Sequence, residues 1–252
     1  MTKAIFRFYA ELNELLPAKK RFSDQNVEFN GRQTVKHLIE SQGIPHTEVD
    51  LILANSRSVG FDYIPLDGEL ISVYPVFESF DVSWVNYLRP KPLREPKFVL
   101  DGHLGRLASY LRMLGFDSGY RNDFSDEELA DISVEEKRIL LTRDRGLLKR
   151  DKVTHGFLIK TRDPRQQLLS VIKRFDLASL IQPFTRCIAC NGVLESVEKS
   201  EIMDQLEPKT KIYFDMFKRC SVCRKIYWAG SHHKRMSKLI DWVLRDTPEN
   251  LL

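Results

Sequence analysis

The chain has 252 residues, 42% hydrophobic and 29% charged, with a formal net charge of +4 at pH 7. This is ordinary globular composition, with length enough for one to three domains and ample core. It excludes a membrane span, since no run approaches the roughly 20 apolar residues needed. Met1 to Phe8 lack the apolar core and cleavage site of a signal peptide, so a cytoplasmic protein is expected. The charge is uneven: net −3 over residues 1–80, +4 over 81–180 and +3 over 181–252. The basic excess in the later segments fits a polyanionic partner, and a solvated surface fits almost as well.

The first segment reads as strands around one helix. Ala4 to Ala10 alternates as a half-buried strand does. Val27-Glu-Phe29 followed by Asn30-Gly31 suggests a hairpin. Thr34 is a fitting N-cap for a helix over Val35–Gln42 that ends at Gly43. Leu51–Asn55 and Leu70–Tyr74 read as later strands, with a turn at Asp67-Gly68. This order resembles the β-grasp of ubiquitin-like sulfur carriers. Those carriers end in a free Gly-Gly, whereas here the chain continues through Pro75-Val-Phe-Glu-Ser79. Carrier chemistry is therefore not expected, and a binding role, with a possible protein partner, is what the resemblance leaves. Residues 1–78 are expected to fold alone and to be dispensable for any activity further on.

Residues 79–96 hold Pro90, Pro92 and Pro96, which makes a stiff connector and a domain boundary, with Trp84 and Tyr87 to pin it. A short apolar strand, Lys97–Leu100, then breaks off at Asp101. The following helix carries apolar residues at 104, 107, 108, 111 and 114, which make one face, with Arg106 and Arg112 elsewhere and Gly115 as the C-cap residue. Ser125 and Glu128 form a capping box for a second helix, so Asp126 stands in its first turn. Arg138–Thr142 is a second strand and breaks off at Asp144; Gly156–Thr161 is a third. Asp163-Pro164 starts another helix, with Asp163 as its cap. Residues 97–180 therefore read as an α/β domain with right-handed crossovers.

In a parallel α/β sheet the C-terminal strand ends share one edge, where ligands collect. Asp101 and Asp144, 43 residues apart, are thus candidate neighbours, with Asp126 or its competitor Asp123 as a third carboxylate. Oxygen ligands of this kind suit Mg²⁺ or Mn²⁺, and such an ion would activate water and shield a phosphodiester's charge. Arg106, Arg143 and Arg145 are candidates for phosphate contact, with local ion pairs as the alternative. Taken singly, Asp101 could be no more than a helix cap and Asp144 a turn former.

The last segment, 181–252, holds all four cysteines of the chain as Cys187-Ile-Ala-Cys190 and Cys220-Ser-Val-Cys223, with 29 residues between. Two such knuckles set four thiolates around structural Zn²⁺, a closed site with no position for catalysis. The gap requires an inserted hairpin or loop, and an amphipathic helix is expected from Met236 to about Arg245.

Several long motifs carry a wider resemblance: Phe98-Val-Leu-Asp-Gly-His-Leu-Gly-Arg-Leu-Ala-Ser-Tyr-Leu-Arg-Met-Leu-Gly-Phe-Asp117, Ser125-Asp-Glu-Glu-Leu129, Arg138-Ile-Leu-Leu-Thr-Arg-Asp144, and the cysteine pairs with Tyr227-Trp-Ala-Gly-Ser-His232. Together these resemble the Mut-seven C-terminal RNase domain family, over nearly the whole chain. The resemblance implies a multidomain α/β and α+β protein: a ubiquitin-like β-grasp domain at 1–78, a linker at 79–96, a PIN-like nuclease domain at 97–180, and a zinc ribbon with a C-terminal helix at 181–252. It implies Asp101, Asp126 and Asp144 as the metal-binding acids of a divalent-metal-dependent endoribonuclease, with RNA as partner. The alternative class is a non-catalytic adaptor for RNA or ribonucleoprotein, with a vestigial acidic pocket.

Overall fold

Thr34 opens the first helix as its residue type predicts, its side chain accepting from the His37 amide. The computed structural model describes residues 2–75 and 96–246. The expected connector, with Trp84, Tyr87, Pro90 and Pro92, lies outside the described residues except for Pro96. In chain order, strands β1 (Thr2–Phe8) and β2 (Gln25–Phe29) come first, then helix α1 (Val35–Ser41). Strands β3 (Val49–Ala54), β4 (Arg57–Ser58) and β5 (Leu70–Pro75) follow. After the connector come β6 (Phe98–Leu100), α2 (Gly105–Met113), β7 (Ser118–Tyr120), α3 (Asp126–Glu135), β8 (Ile139–Thr142), α4 (Arg145–Leu148), β9 (Gly156–Leu158) and α5 (Pro164–Arg174). The last part contains β10 (Leu194–Val197), α6 (Lys199–Ile202), α7 (Pro208–Tyr213), β11 (Phe217–Cys220), β12 (Ile226–Trp228) and α8 (Ser231–Asp246).

Two compact units divide the chain out of sequence order. Among the described residues, the first comprises 2–75 with 125–158, and the second 96–124 with 159–246.

In the first unit a five-stranded sheet runs β2-β1-β5-β3-β4. Strand β1 pairs antiparallel with β2 and parallel with β5. Phe6, Leu12, Ile39, Ile52 and Ile71 are fully buried within this unit. The hairpin expected at Asn30-Gly31 is corrected here: Gly31 (φ +70°) turns the chain from β2 into α1, and β2 takes β1 as its partner. The same unit holds α3, β8, α4 and β9, and β8 pairs parallel with β9. The capping box at Ser125 and Glu128 is formed in both directions, as expected.

The segment 145–158 is fastened to the sheet-and-helix part by polar contacts that local sequence does not announce. His46 is buried, with Nδ1 2.7 Å from Glu40 Oε1 and Nε2 2.8 Å from the Val153 carbonyl. The Leu158 amide donates to buried Glu48 Oε1 at 2.7 Å. Lys36 pairs with Asp151 at 2.6 Å, Lys149 donates to the Glu40 carbonyl at 2.5 Å, and Arg145 donates to the Gly43 carbonyl at 3.3 Å. Deleting residues 1–78 would leave the Leu158 amide and the Val153 carbonyl without these partners. Replacing Glu48 with alanine is expected to lower stability by about 1–3 kcal/mol, the cost of orphaning a buried donor. Urea unfolding of the two proteins checks this; a midpoint shift worth less than about 0.5 kcal/mol would mean the amide has another acceptor.

In the second unit β6 pairs parallel with β7, and α2 packs on β7 and α5. The expected apolar face of α2 is buried: Leu104, Leu107, Ala108, Leu111 and Leu114 are each at most 1% exposed. Gly115 takes φ +100°, and a Cβ there would stand 2.3 Å from the Gln182 carbonyl, so both conformation and space require glycine. Arg112, expected off the buried face, is itself only 4% exposed. A three-stranded antiparallel sheet β10-β11-β12 follows. The 29-residue insertion is no simple hairpin, since α6 and α7 lie between β10 and β11. Helix α8 begins five residues before the expected Met236. Among the described residues no helix is long and apolar enough to cross a membrane.

Candidate metal centre and acidic residues

The cysteines converge as their spacing predicts. Among the described residues, Cys187, Cys190, Cys220 and Cys223 are the group of potential metal ligands whose atoms all lie within 4.8 Å of one another. Cys187 Sγ is 3.6 Å from Cys223 Sγ, and Cys190 Sγ is 3.4 Å from Cys220 Sγ. The two knuckles are built alike. Asn191 (φ 71°) and Arg224 (φ 62°), each directly after the second cysteine of a pair, take the left-handed conformation. The Asn191 amide donates to the Cys187 carbonyl and the Arg224 amide to the Cys220 carbonyl. The Val222 and Cys223 amides point at Cys220 Sγ from 3.4 and 3.5 Å, which favours a thiolate. A Cβ at Gly192 would stand 2.8 Å from Cys220 Sγ, so only glycine lets the first knuckle close over that sulfur.

Crowding splits the thiols. Burial pushes the Cys187 thiol up, but the Tyr227 hydroxyl 3.0 Å away and the neighbouring thiols bring it down to about 6. Burial and the adjacent sulfurs push Cys190 up to about 12. One thiolate here disfavours the next, and a cation held by all four removes that conflict. The set could hold a metal such as zinc; four soft sulfurs in a closed cluster fit it.

The three aspartates are divided between the units. Asp101, in the second, directly follows β6 and is 9% exposed; its Oδ1 accepts the His103 amide at 2.8 Å. Asp126 and Asp144 are in the first. Asp144 lies two residues after β8, is exposed, and caps α4 by accepting the Gly146 amide at 2.7 Å. The capping role foreseen as the alternative for Asp101 is thus real, while Asp144, foreseen as a turn former, caps a helix; one capped oxygen leaves a carboxylate with further acceptor capacity. Asp126 is the first residue of α3, exposed, with Arg150 Nη2 3.8 Å from Oδ2. Its competitor Asp123 is engaged by Arg121 in a two-point contact at 2.9 and 3.0 Å, and that hydrogen bonding draws its carboxyl below the usual range. Asp163 caps α5 through the Arg165 and Gln166 amides, as expected.

Arg106 and Arg143 are exposed, while Arg145 donates to the Gly43 carbonyl. Sequence reading passed over Arg150, which also meets Glu127 Oε2 at 2.6 Å. Lys152 joins the same patch through Glu127 and, at 2.5 Å, Asp131. The signal was the basic run after Asp144, whose members cannot be ranked without knowing which acids they face.

A family model described as Mut7-C RNAse domain matches residues 96–240, and one described as Mut7-C ubiquitin matches residues 1–81. No curated protein matches the chain. Among solved structures, small archaeal modifier protein 1 of H. volcanii is similar at 16% identity, covering 31% of this chain and 100% of that one, with a TM-score of 0.25.

Proposed function

From a chain that belongs to the Mut7-C RNAse domain family, we propose metal-dependent cleavage of RNA phosphodiester bonds, with Asp101, Asp126 and Asp144 holding Mg²⁺ or Mn²⁺ and the four cysteines holding structural Zn²⁺. The boundaries that go with this reading are a ubiquitin-like β-grasp domain at 1–78, a PIN-like nuclease domain at 97–180 and a zinc ribbon from 181. The observation that carries it is positional. Asp101 and Asp144 each follow the end of a strand in a parallel pair, within the 145-residue span that matches the family. A divalent cation bound by these acids would lower the pKa of a bound water and neutralise charge on the phosphate.

The chain's own contributions follow from where its groups stand. The buried Asp101 carboxylate is held by the turn it caps, so its orientation is set before any ligand arrives. The N-terminus of α3 adds positive potential at the Asp126 carboxylate, which stands in that helix's first turn. Arg106 and Arg143 are exposed and suited to phosphate oxygens; Arg145 has already spent one donor on the Gly43 carbonyl. The β-grasp residues offer a possible surface for a protein partner, away from the part of α1 and the His46–Glu48 turn that 145–158 covers.

Cleavage of a labelled single-stranded RNA by wild type and Asp101→Asn, each with Mn²⁺, tests the proposal. Asparagine keeps the cap, so the fold should survive. The activity loss should exceed the roughly 100-fold that loss of an outer-shell partner costs. RNA binding without cleavage under any metal, unaffected by the substitution, would favour the adaptor instead.

A further inference from the structure

Arg112 is the residue of the second unit whose position its pattern least explains. It sits on α2 with its guanidinium buried, and burial draws its pKa down. Three donations use that guanidinium. Nε donates to the Ser118 carbonyl at 2.9 Å, while Nη1 donates to the Ile188 carbonyl at 3.1 Å and the Ala189 carbonyl at 3.0 Å. Ile188 and Ala189 are the two residues between Cys187 and Cys190. One side chain therefore ties β7 to the interior of the first cysteine knuckle.

Asn191 makes the same link from the other side. Its Oδ1 accepts the Ser118 amide at 2.9 Å, and its Nδ2 donates to Asp117 Oδ1 at 2.7 Å. Arg186 closes the loop, with Nη2 3.3 Å from Asp117 Oδ2 and Nη1 donating to the Asn191 carbonyl at 3.0 Å. Helix α2 ends on the same strand of chain: the Met113 carbonyl accepts the Phe184 amide and the Leu114 carbonyl accepts the Gln182 amide.

We propose that the first cysteine knuckle is an integral part of the α2–β7 layer, with Arg112 as its positioning residue, so that metal at the four cysteines maintains the order of the segment that follows Asp101. This rests on the reading of the cysteine cluster as a zinc site. Four thiolates around Zn²⁺ leave a net charge of −2, and a buried guanidinium beside the knuckle offsets part of it. Without the cation the thiols crowd and the knuckle opens. The Ile188 and Ala189 carbonyls then move, and Arg112 loses acceptors for buried donors. The disturbance passes to β7 through Ser118, whose amide and carbonyl are both committed to this joint. Lysine cannot replace Arg112, because one ammonium cannot span carbonyls on two segments in fixed geometry.

Hydrogen exchange on the full-length protein, before and after metal removal by a chelator under reducing conditions, provides the test. Amides of residues 111–120 should lose protection together with those of 186–194, while β1 and β2 keep theirs. Arg112→Lys, and Asn191→Gly, which keeps the left-handed backbone, should release zinc to a chromogenic chelator about 10–100-fold faster than wild type with unchanged far-UV circular dichroism. If wild type contains no zinc by elemental analysis, the zinc reading fails and this inference with it. If zinc is present, unchanged protection of 111–120 on its removal, or wild-type release by Arg112→Lys, overturns this inference alone.

Discussion

Cys220→Ala is expected to leave the protein without zinc and to unfold the part of the second unit built on β10, β11 and β12. Wild type should carry about one zinc per chain. Cys220 is fully buried at the end of β11, 3.4 Å from Cys190 Sγ, and its sulfur receives the Val222 and Cys223 amides. The apolar support nearby is small: Val197, Ile202, Leu206 and Phe217 are the buried members of one cluster, and Leu194 joins Cys187 and Cys220 in another. A core of that size supplies little against the cost of ordering the chain. Structural zinc supplies about 10–16 kcal/mol in zinc-finger peptides, which matches the entire stability of an ordinary domain. The loss therefore exceeds what the cluster can absorb. Elemental analysis and near-UV circular dichroism of both proteins decide it. Full zinc content in the variant with an unchanged melt would rule out the four-cysteine site.

Asp144→Asn carries the second large effect, and it separates the two function classes. Asparagine caps a helix about as well as aspartate, so the bond to the Gly146 amide survives and the fold cost is slight. If Asp101, Asp126 and Asp144 hold a divalent ion, the empty site suffers mutual repulsion. The metal-free variant should then melt at or above wild type. Added Mn²⁺ should stabilise wild type by about 2.7 kcal/mol at a hundredfold excess over its dissociation constant. For a protein of this length that is a rise of roughly 5–10 °C. The variant should lose most of that response and all detectable RNA cleavage. Equal Mn²⁺ shifts in the two proteins would tell against the three acids as a metal site, and a small loss of stability with cleavage intact would leave Asp144 as a cap alone.

Much of the fold was legible in the sequence wherever short-range geometry decides it. The face at 104, 107, 108, 111 and 114 is buried because residues three and four apart share a side of any helix. Gly115 ends α2, and Ser125 with Glu128 begins α3, through bonds that span only a few residues. Within each cysteine pair a Cys-x-x-Cys turn presents both sulfurs to one point, and the pairing of β10 with β11 brings the two pairs together. Where the same local reasoning failed, the turn at Asn30-Gly31 was sound but its partner was not. A turn says that the chain reverses, and the partner of β2 is chosen across 19 positions or more, as with Phe6 and Gln25.

The tertiary structure alone decided the fate of the charged residues. Arg112 and Arg106 sit six positions apart on one helix, both off its apolar stripe, yet one is buried against the knuckle and the other exposed. The difference lies in the Ile188 and Ala189 carbonyls, 76 and 77 residues away. Sequence put Asp126 forward with Asp123 as its competitor, and only the structure shows which arginine each one faces, Arg121 at Asp123 and Arg150 at Asp126. Nothing in the local sequence marks Glu48 or His46, and their partners at Leu158 and Val153 lie 110 and 107 residues on. Burying a charge is costly unless a partner meets it, and a partner at such separation is supplied only when the chain has closed, so no local pattern records it.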